Sequence, residues 1–225
     1  MTVTEVAGVR GIVVACGADQ HTGTGFGGGP VIRVPSRPGR AEIDPLLGEY
    51  DRLVIMGTDA DLAAVVLRLL RKDLVSGVSV GFVPSKAGSA VAALWKLPTD
   101  PAEALELART GEAAAVPLVR EDNGGVLVGR ATLRKVHGQG YCDEEVAFDG
   151  TVRAIEVSPD PEGIAARVTR GQLLNRTTTL RGRAFQLGCH PVSLVSDGVR
   201  HPREVTKWTW YRHVEDLRLV RPAGR

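Results

Sequence analysis

Apolar residues recur with two different periods along this chain, and the change from one to the other divides it. In the first half, Gly11–Cys16 and Arg52–Met56 are short apolar runs, each followed by Gly. This is the pattern of strands buried on both faces of a parallel sheet. From Asp61 the spacing lengthens: Leu62, Val65, Val66, Leu69 and Leu70 fall at i, i+3, i+4, i+7 and i+8, which predicts a helix ending near Lys72. Val78–Val83 predicts a third strand, Pro84 its end, and Val91–Trp95 a short helix. A further helix is marked by Asp100 as N-cap, Pro101 at the first position, Glu103 at the capping-box position and Gly111 just past the end. Strands alternating with helices build a parallel sheet through right-handed crossovers.

After about Pro117 the helical period disappears. Short alternating or β-branched segments follow at Val126–Val128, Ala131–Val136, Val152–Val157, Ile164–Val168, Arg183–Leu187, Val192–Val195, Glu204–Arg212 and Leu217–Val220, separated by Gly, Pro, Asn and Asp. Their spacing predicts an antiparallel β-sandwich. The expected fold class is therefore α/β + β, with an α/β domain over residues 1–117 and a β-sandwich over 118–225. Trp208 and Trp210, two apart in a strand, share one face; they fit beneath the sandwich, at a partner surface or under an acyl chain.

Composition narrows the partners. The chain has 225 residues, 43% of them apolar and 24% charged, as in a soluble globular protein large enough for one big domain or two small ones. Its net charge of +2 gives no reason to expect nucleic acid. No stretch approaches the ~18 apolar residues of a membrane span, and Met1–Arg10 lacks the form of a signal peptide, so a cytoplasmic protein is expected. Between Arg176 and Arg225 basic residues outnumber acidic ones ten to four, a bias compatible with peripheral contact to anionic headgroups or with a solvated arginine face. Cys16, Cys142 and Cys189 are too irregularly spaced for a disulfide framework. Cys189 and His190 have no second ligand pair at a matching interval, so no metal centre is expected.

Candidate chemistry lies in two strand-to-helix turns, Met56-Gly-Thr-Asp-Ala-Asp-Leu62 and Val83-Pro-Ser-Lys-Ala-Gly-Ser-Ala90. At the carboxyl ends of parallel strands, a Gly-bearing turn before a helix N-terminus lets backbone amides approach a phosphate. A third Gly-rich segment, Gly23–Gly29, follows the first strand and reads as an anion-binding lid or a surface loop.

The order of these motifs resembles the catalytic domain of the diacylglycerol kinase family, whose superfamily includes sphingosine and NAD kinases. The family pattern is an apolar strand, GGDGT and a helix containing N-E-V-V-N; Leu53-Val-Ile-Met-Gly-Thr-Asp-Ala-Asp-Leu-Ala-Ala-Val-Val66 fits that frame without gaps. The family's P-L-G-T-G-N-D, short helix and Leu-Ile-Pro turn correspond to Phe82-Val-Pro-Ser-Lys-Ala-Gly-Ser-Ala90 and Leu94-Trp-Lys-Leu-Pro98. Pro191-Val-Ser-Leu-Val-Ser-Asp-Gly198 resembles the strand ending in D-G-E, and Asp216–Val220 the closing strand. The resemblance covers most of 52–111 and, again, roughly 178–222.

What the resemblance implies is an ATP- and Mg2+-dependent transfer of phosphate to the hydroxyl of a lipid or small molecule. In that reading the first domain is nucleotide-binding-like, Gly57, Thr58, Asp59, Ala60, Asp61, Lys86, Gly88 and Ser89 form the nucleotide site, and Asp197 is the general base. Many signature residues are replaced. Thr58, Ala60 and Asp61 stand for Gly, Gly and Thr; Lys86, Ala87, Ser89 and Ala90 stand for Gly, Thr, Asn and Asp; Val199 stands for the terminal acid. Asp61 matters most, because a carboxylate at a helix start caps the amides that a phosphate needs and repels the phosphate too. Reorganised, it would be a magnesium ligand. The alternative expectation is a catalytically inactive homologue that binds a lipid, a nucleotide or a protein partner. A homodimer is compatible with either.

Overall fold

The structure is a computed structural model that describes residues 5–6, 9–17, 30–171 and 176–223. Gly23–Gly29 lies outside the described residues. The chain divides into two compact units, one of Met1–Val116 with Glu215–Arg225 and one of Pro117–Val214.

In the first unit the strands are β1 (Glu5–Val6), β2 (Val9–Cys16), β3 (Val31–Val34), β4 (Arg52–Gly57) and β5 (Ser79–Pro84), and the helices α1 (Arg40–Ile43), α2 (Asp59–Leu70), α3 (Ala90–Trp95) and α4 (Pro101–Thr110). β3, β2, β4 and β5 are parallel neighbours in that order, with Val13 opposite Val54 and Val54 opposite Gly81. Every residue of β4 and β5 is buried, which explains why their sequences read as unbroken apolar runs. Alternation along β4 sends Val54 and Met56 to one face, where they join Val13 and Val83 beneath Ala104 and Ala108 of α4. Asp100 caps α4 as expected, its carboxylate accepting from the amides of Ala102 and Glu103, both at 3.0 Å. Arg52 is a buried charge at the start of β4; its guanidinium donates to the Ser79 hydroxyl and to the carbonyl of Arg109.

The second unit begins within β6 (Ala113–Glu121) and continues through β7 (Val126–Leu127), β8 (Ala131–Cys142), β9 (Glu145–Asp160), β10 (Gly163–Arg170), β11 (Arg176–Gly182), β12 (Ala184–Val192), β13 (Leu194–Ser196), β14 (Val199–Arg200) and β15 (Val205–Val220). These strands pair antiparallel in the order β15, β12, β8, β9, β10, β11, with β13 joining β8 and β14. The sheet folds back so that β10 comes near β12 and β11 near β8. Val136, Phe148, Ile155, Ile164, Phe185 and Trp210 lie in the core thus enclosed. Trp208 joins Trp210 there, 6% and 0% exposed respectively, so neither ring lies on a surface.

The expected α/β + β class holds: parallel strands with helices, then an antiparallel strand-rich region. Glu204–Arg212 and Leu217–Val220, read as separate strands, are parts of β15, whose last residues rejoin the first unit and pair Leu219 with Val80 of β5. All three cysteines are free thiols.

Candidate functional site

The first turn is built around Asp61. β4 ends at Gly57, and Thr58, in extended conformation, is the N-cap of α2. The Asp61 side chain, 2% exposed, reaches back: one oxygen accepts from the Thr58 amide and hydroxyl, both at 2.7 Å, and the other accepts from the Arg37 amide at 2.6 Å. In return the Thr58 hydroxyl accepts from the Asp61 amide at 3.3 Å. This is a complete capping box, with the acid at the third helical position. Gly57 is required by it, since a Cβ there would lie 2.7 Å from an Asp61 carboxylate oxygen. The same negative charge is felt by Cys16 at the end of β2, whose thiol is pushed up to about 12 by burial and, secondarily, by Asp61. Cys16 is therefore a neutral thiol, not a nucleophile.

Asp59 binds the second turn rather than its own helix. Its carboxylate accepts from the Ser89 hydroxyl at 2.5 Å and from the amides of Ala90 and Val91 at 2.8 and 3.4 Å. Ser89 is also the N-cap of α3, accepting from the Ala92 amide at 3.0 Å. The first turn of α3 is thus met by two oxygens from the chain itself. Gly57, Thr58, Asp59, Ala60, Asp61 and Ser89 come together at the ends of β4 and β5. Lys86 and Gly88 lie outside this bonded group, on the exposed Ser85–Gly88 segment. Gly88 has a φ of +82°, and a Cβ on it would meet nothing within 4 Å.

Asp197 belongs to the second unit. It sits at a φ of 48°, a left-handed conformation that aspartate tolerates in turns, and is 7% exposed. Its two carboxylate oxygens accept from the amides of Val128, Gly129 and Arg130 at 3.0, 2.8 and 3.0 Å, while its own amide donates to the Arg130 carbonyl. This side chain organises the segment between β7 and β8.

Sequence patterns gave no sign of Glu121. This carboxylate, 5% exposed, accepts from the hydroxyl of Ser196, next to Asp197, at 2.6 Å and from the Trp210 indole at 3.1 Å. Burial pushes its carboxyl above the usual range against the opposing pull of those two bonds and of His201. Nor did anything local mark Arg37, whose amide lies across the first turn at a φ of 51°. Among the described residues no helix is long and apolar enough to cross a membrane.

No protein-family model matches the sequence, and no curated protein matches it. Solved structures do match. A diacylglycerol kinase from Bacillus anthracis str. Sterne superposes with a TM-score of 0.71 at 8% identity, over 95% of this chain and 97% of that one. An NAD kinase from Archaeoglobus fulgidus, solved in complex with ATP, gives a TM-score of 0.60 at 11% identity, over 94% of this chain and 93% of that one. Over nearly its whole length, the chain has the fold shared by diacylglycerol and NAD kinases.

Proposed function

We propose that this chain is a non-catalytic relative of the diacylglycerol and NAD kinases, a protein that binds a ligand or a protein partner without transferring phosphate. One observation carries the reading: the Asp61 carboxylate lies on the Thr58 and Arg37 amides at 2.7 and 2.6 Å. A phosphate placed at this turn would have to displace a tethered anion that needs no entropy of association, and would meet its charge while doing so. The residues present do not fit the phosphates of ATP there. Asp59 supports the same conclusion at the second turn, since it already holds the Ala90 amide. Asp197, with both oxygens accepting from backbone amides, has the bonding of a structural aspartate.

A second reading is favoured by the exposed Ser85–Gly88 segment, where Lys86 and the unobstructed Gly88 are open to an anion. In it the chain is an ATP- and Mg2+-dependent kinase of a lipid or small-molecule hydroxyl, with Asp59, Lys86 and Gly88 toward nucleotide and metal and Asp197 as base. Thermal shift with ATP and ADP, with and without Mg2+, together with phosphate transfer to a panel of lipids and to NAD, separates the two. No nucleotide-induced shift and no transfer are expected. Turnover that Asp197→Asn abolishes would establish the kinase instead.

A further inference from the structure

A different chemistry lies on the exposed face of the second unit. Thr151 of β9 stands opposite His137 of β8. On the other side of β8, Gln139 pairs with Gly188 and Gly138 with Cys189 of β12, so the next rung sets His137 against His190. Directly opposed residues of antiparallel strands project to one face, and Thr151, His137 and His190 form a row across three strands. The two imidazoles lie with ring centroids 4.7 Å apart and planes at 84°. Both histidines are exposed.

Three details make this pair a ligand set. His137 Nδ1 lies 2.9 Å from the Thr151 hydroxyl oxygen. With that oxygen accepting, the ring carries its proton on Nδ1 and presents the Nε2 lone pair, the arrangement in which metal-binding imidazoles are commonly held. Gly188, two residues from His190 and on the same face, leaves open space: a Cβ added there would meet nothing within 4 Å. Coordinated waters have room. Cys189 turns the other way, its thiol 3.7 Å from the Val205 carbonyl oxygen and packed against the core. With its sulfur held at the core and the His190 ring exposed against His137, Cys189 does not share an ion with His190. The partner of His190 stands across the sheet, where no sequence interval reveals it.

We propose that His137 and His190 form a surface site for a divalent transition-metal ion that favours imidazole, such as Zn2+, Ni2+ or Cu2+, with water completing its coordination. Among the described residues no group of three or more His, Cys, Asp and Glu side chains is placed to hold a metal. The site therefore has two protein ligands and exchanges its ion readily, unlike a closed four-ligand structural centre. It does not depend on the reading of the turns in the first unit.

Titration calorimetry of the full chain with ZnCl2 and with NiCl2 tests the site, with circular dichroism confirming that each variant folds. One saturable ion per chain is expected, weakened roughly tenfold or more by His137→Gln or His190→Gln, weakened by Thr151→Val, and unchanged by Cys189→Ser. The proposal is overturned by undiminished binding in both histidine variants, by binding that Cys189→Ser removes, or by the absence of saturable binding in the wild-type chain.

Discussion

Two of the buried carboxylates, Asp61 and Glu121, are bonded differently by their surroundings. Asp61 is bonded on both oxygens, whereas at Glu121 a single oxygen accepts from both Ser196 and Trp210, and burial outweighs those bonds in raising its carboxyl. A folded-state value above the unfolded one gives stability that is present below the unfolded value and lost as pH rises through the folded one. Glu121→Gln keeps an acceptor for both donors and removes the titration. Its melting temperature, relative to wild type, is therefore expected to be higher at pH 8 than at pH 4; a difference that stays flat across that range would defeat the assignment. The capping role of Asp61 was legible in the sequence, because its partner Thr58 is three residues away and both lie in one helix start. The bonds from Arg37 to Asp61, Ser89 to Asp59 and Ser196 to Glu121 span 24, 30 and 75 residues. No local periodicity encodes such pairings; only the strand order brings them together.

Helix α4 lies unusually close to strand β5, and Gly81 is the reason. A Cβ on Gly81 would stand 2.5 Å from the Ala108 carbonyl oxygen and 2.7 Å from its Cβ, so the missing side chain sets the distance between helix and sheet. Gly81→Ala is expected to destabilise by about 1–3 kcal/mol through overpacking, measured as a lower denaturant midpoint. Ala108→Gly in the same molecule should not restore it, because the obstruction is backbone; full rescue would contradict this geometry. Elements with end signals were readable in advance, as α4 was from Asp100, Pro101 and Gly111. Others were not. β11 buries only Leu180, so its Thr-rich sequence shows no apolar alternation. β15 read as two strands because Val214 and Glu215 are exposed in its middle, and an apolar pattern stops where burial stops even though the strand continues.

At the scale of the whole molecule, the first unit is discontinuous: its sheet is completed by residues from the far end of the chain. Leu217, Leu219 and Val220 are 4%, 1% and 1% exposed, and burying three such side chains is worth roughly 5–9 kcal/mol, as much as the entire net stability of many domains. A fragment of residues 1–116 is expected to lack a cooperative unfolding transition, and joining residues 215–225 to it by a flexible linker should restore one. A cooperative transition in 1–116 alone would show that the returning strand is dispensable. The same connectivity fixes a temporal order during synthesis. Residues 117–214 form an uninterrupted stretch and can close their unit as soon as they leave the ribosome, but the unit begun first must wait for residues 215–225. At a translation rate of about 5–20 residues per second, the roughly 135 residues between β5 and Leu219 leave the edge of β5 unpaired for on the order of 7–27 s, a window in which a nascent chain is open to mispairing or to a chaperone.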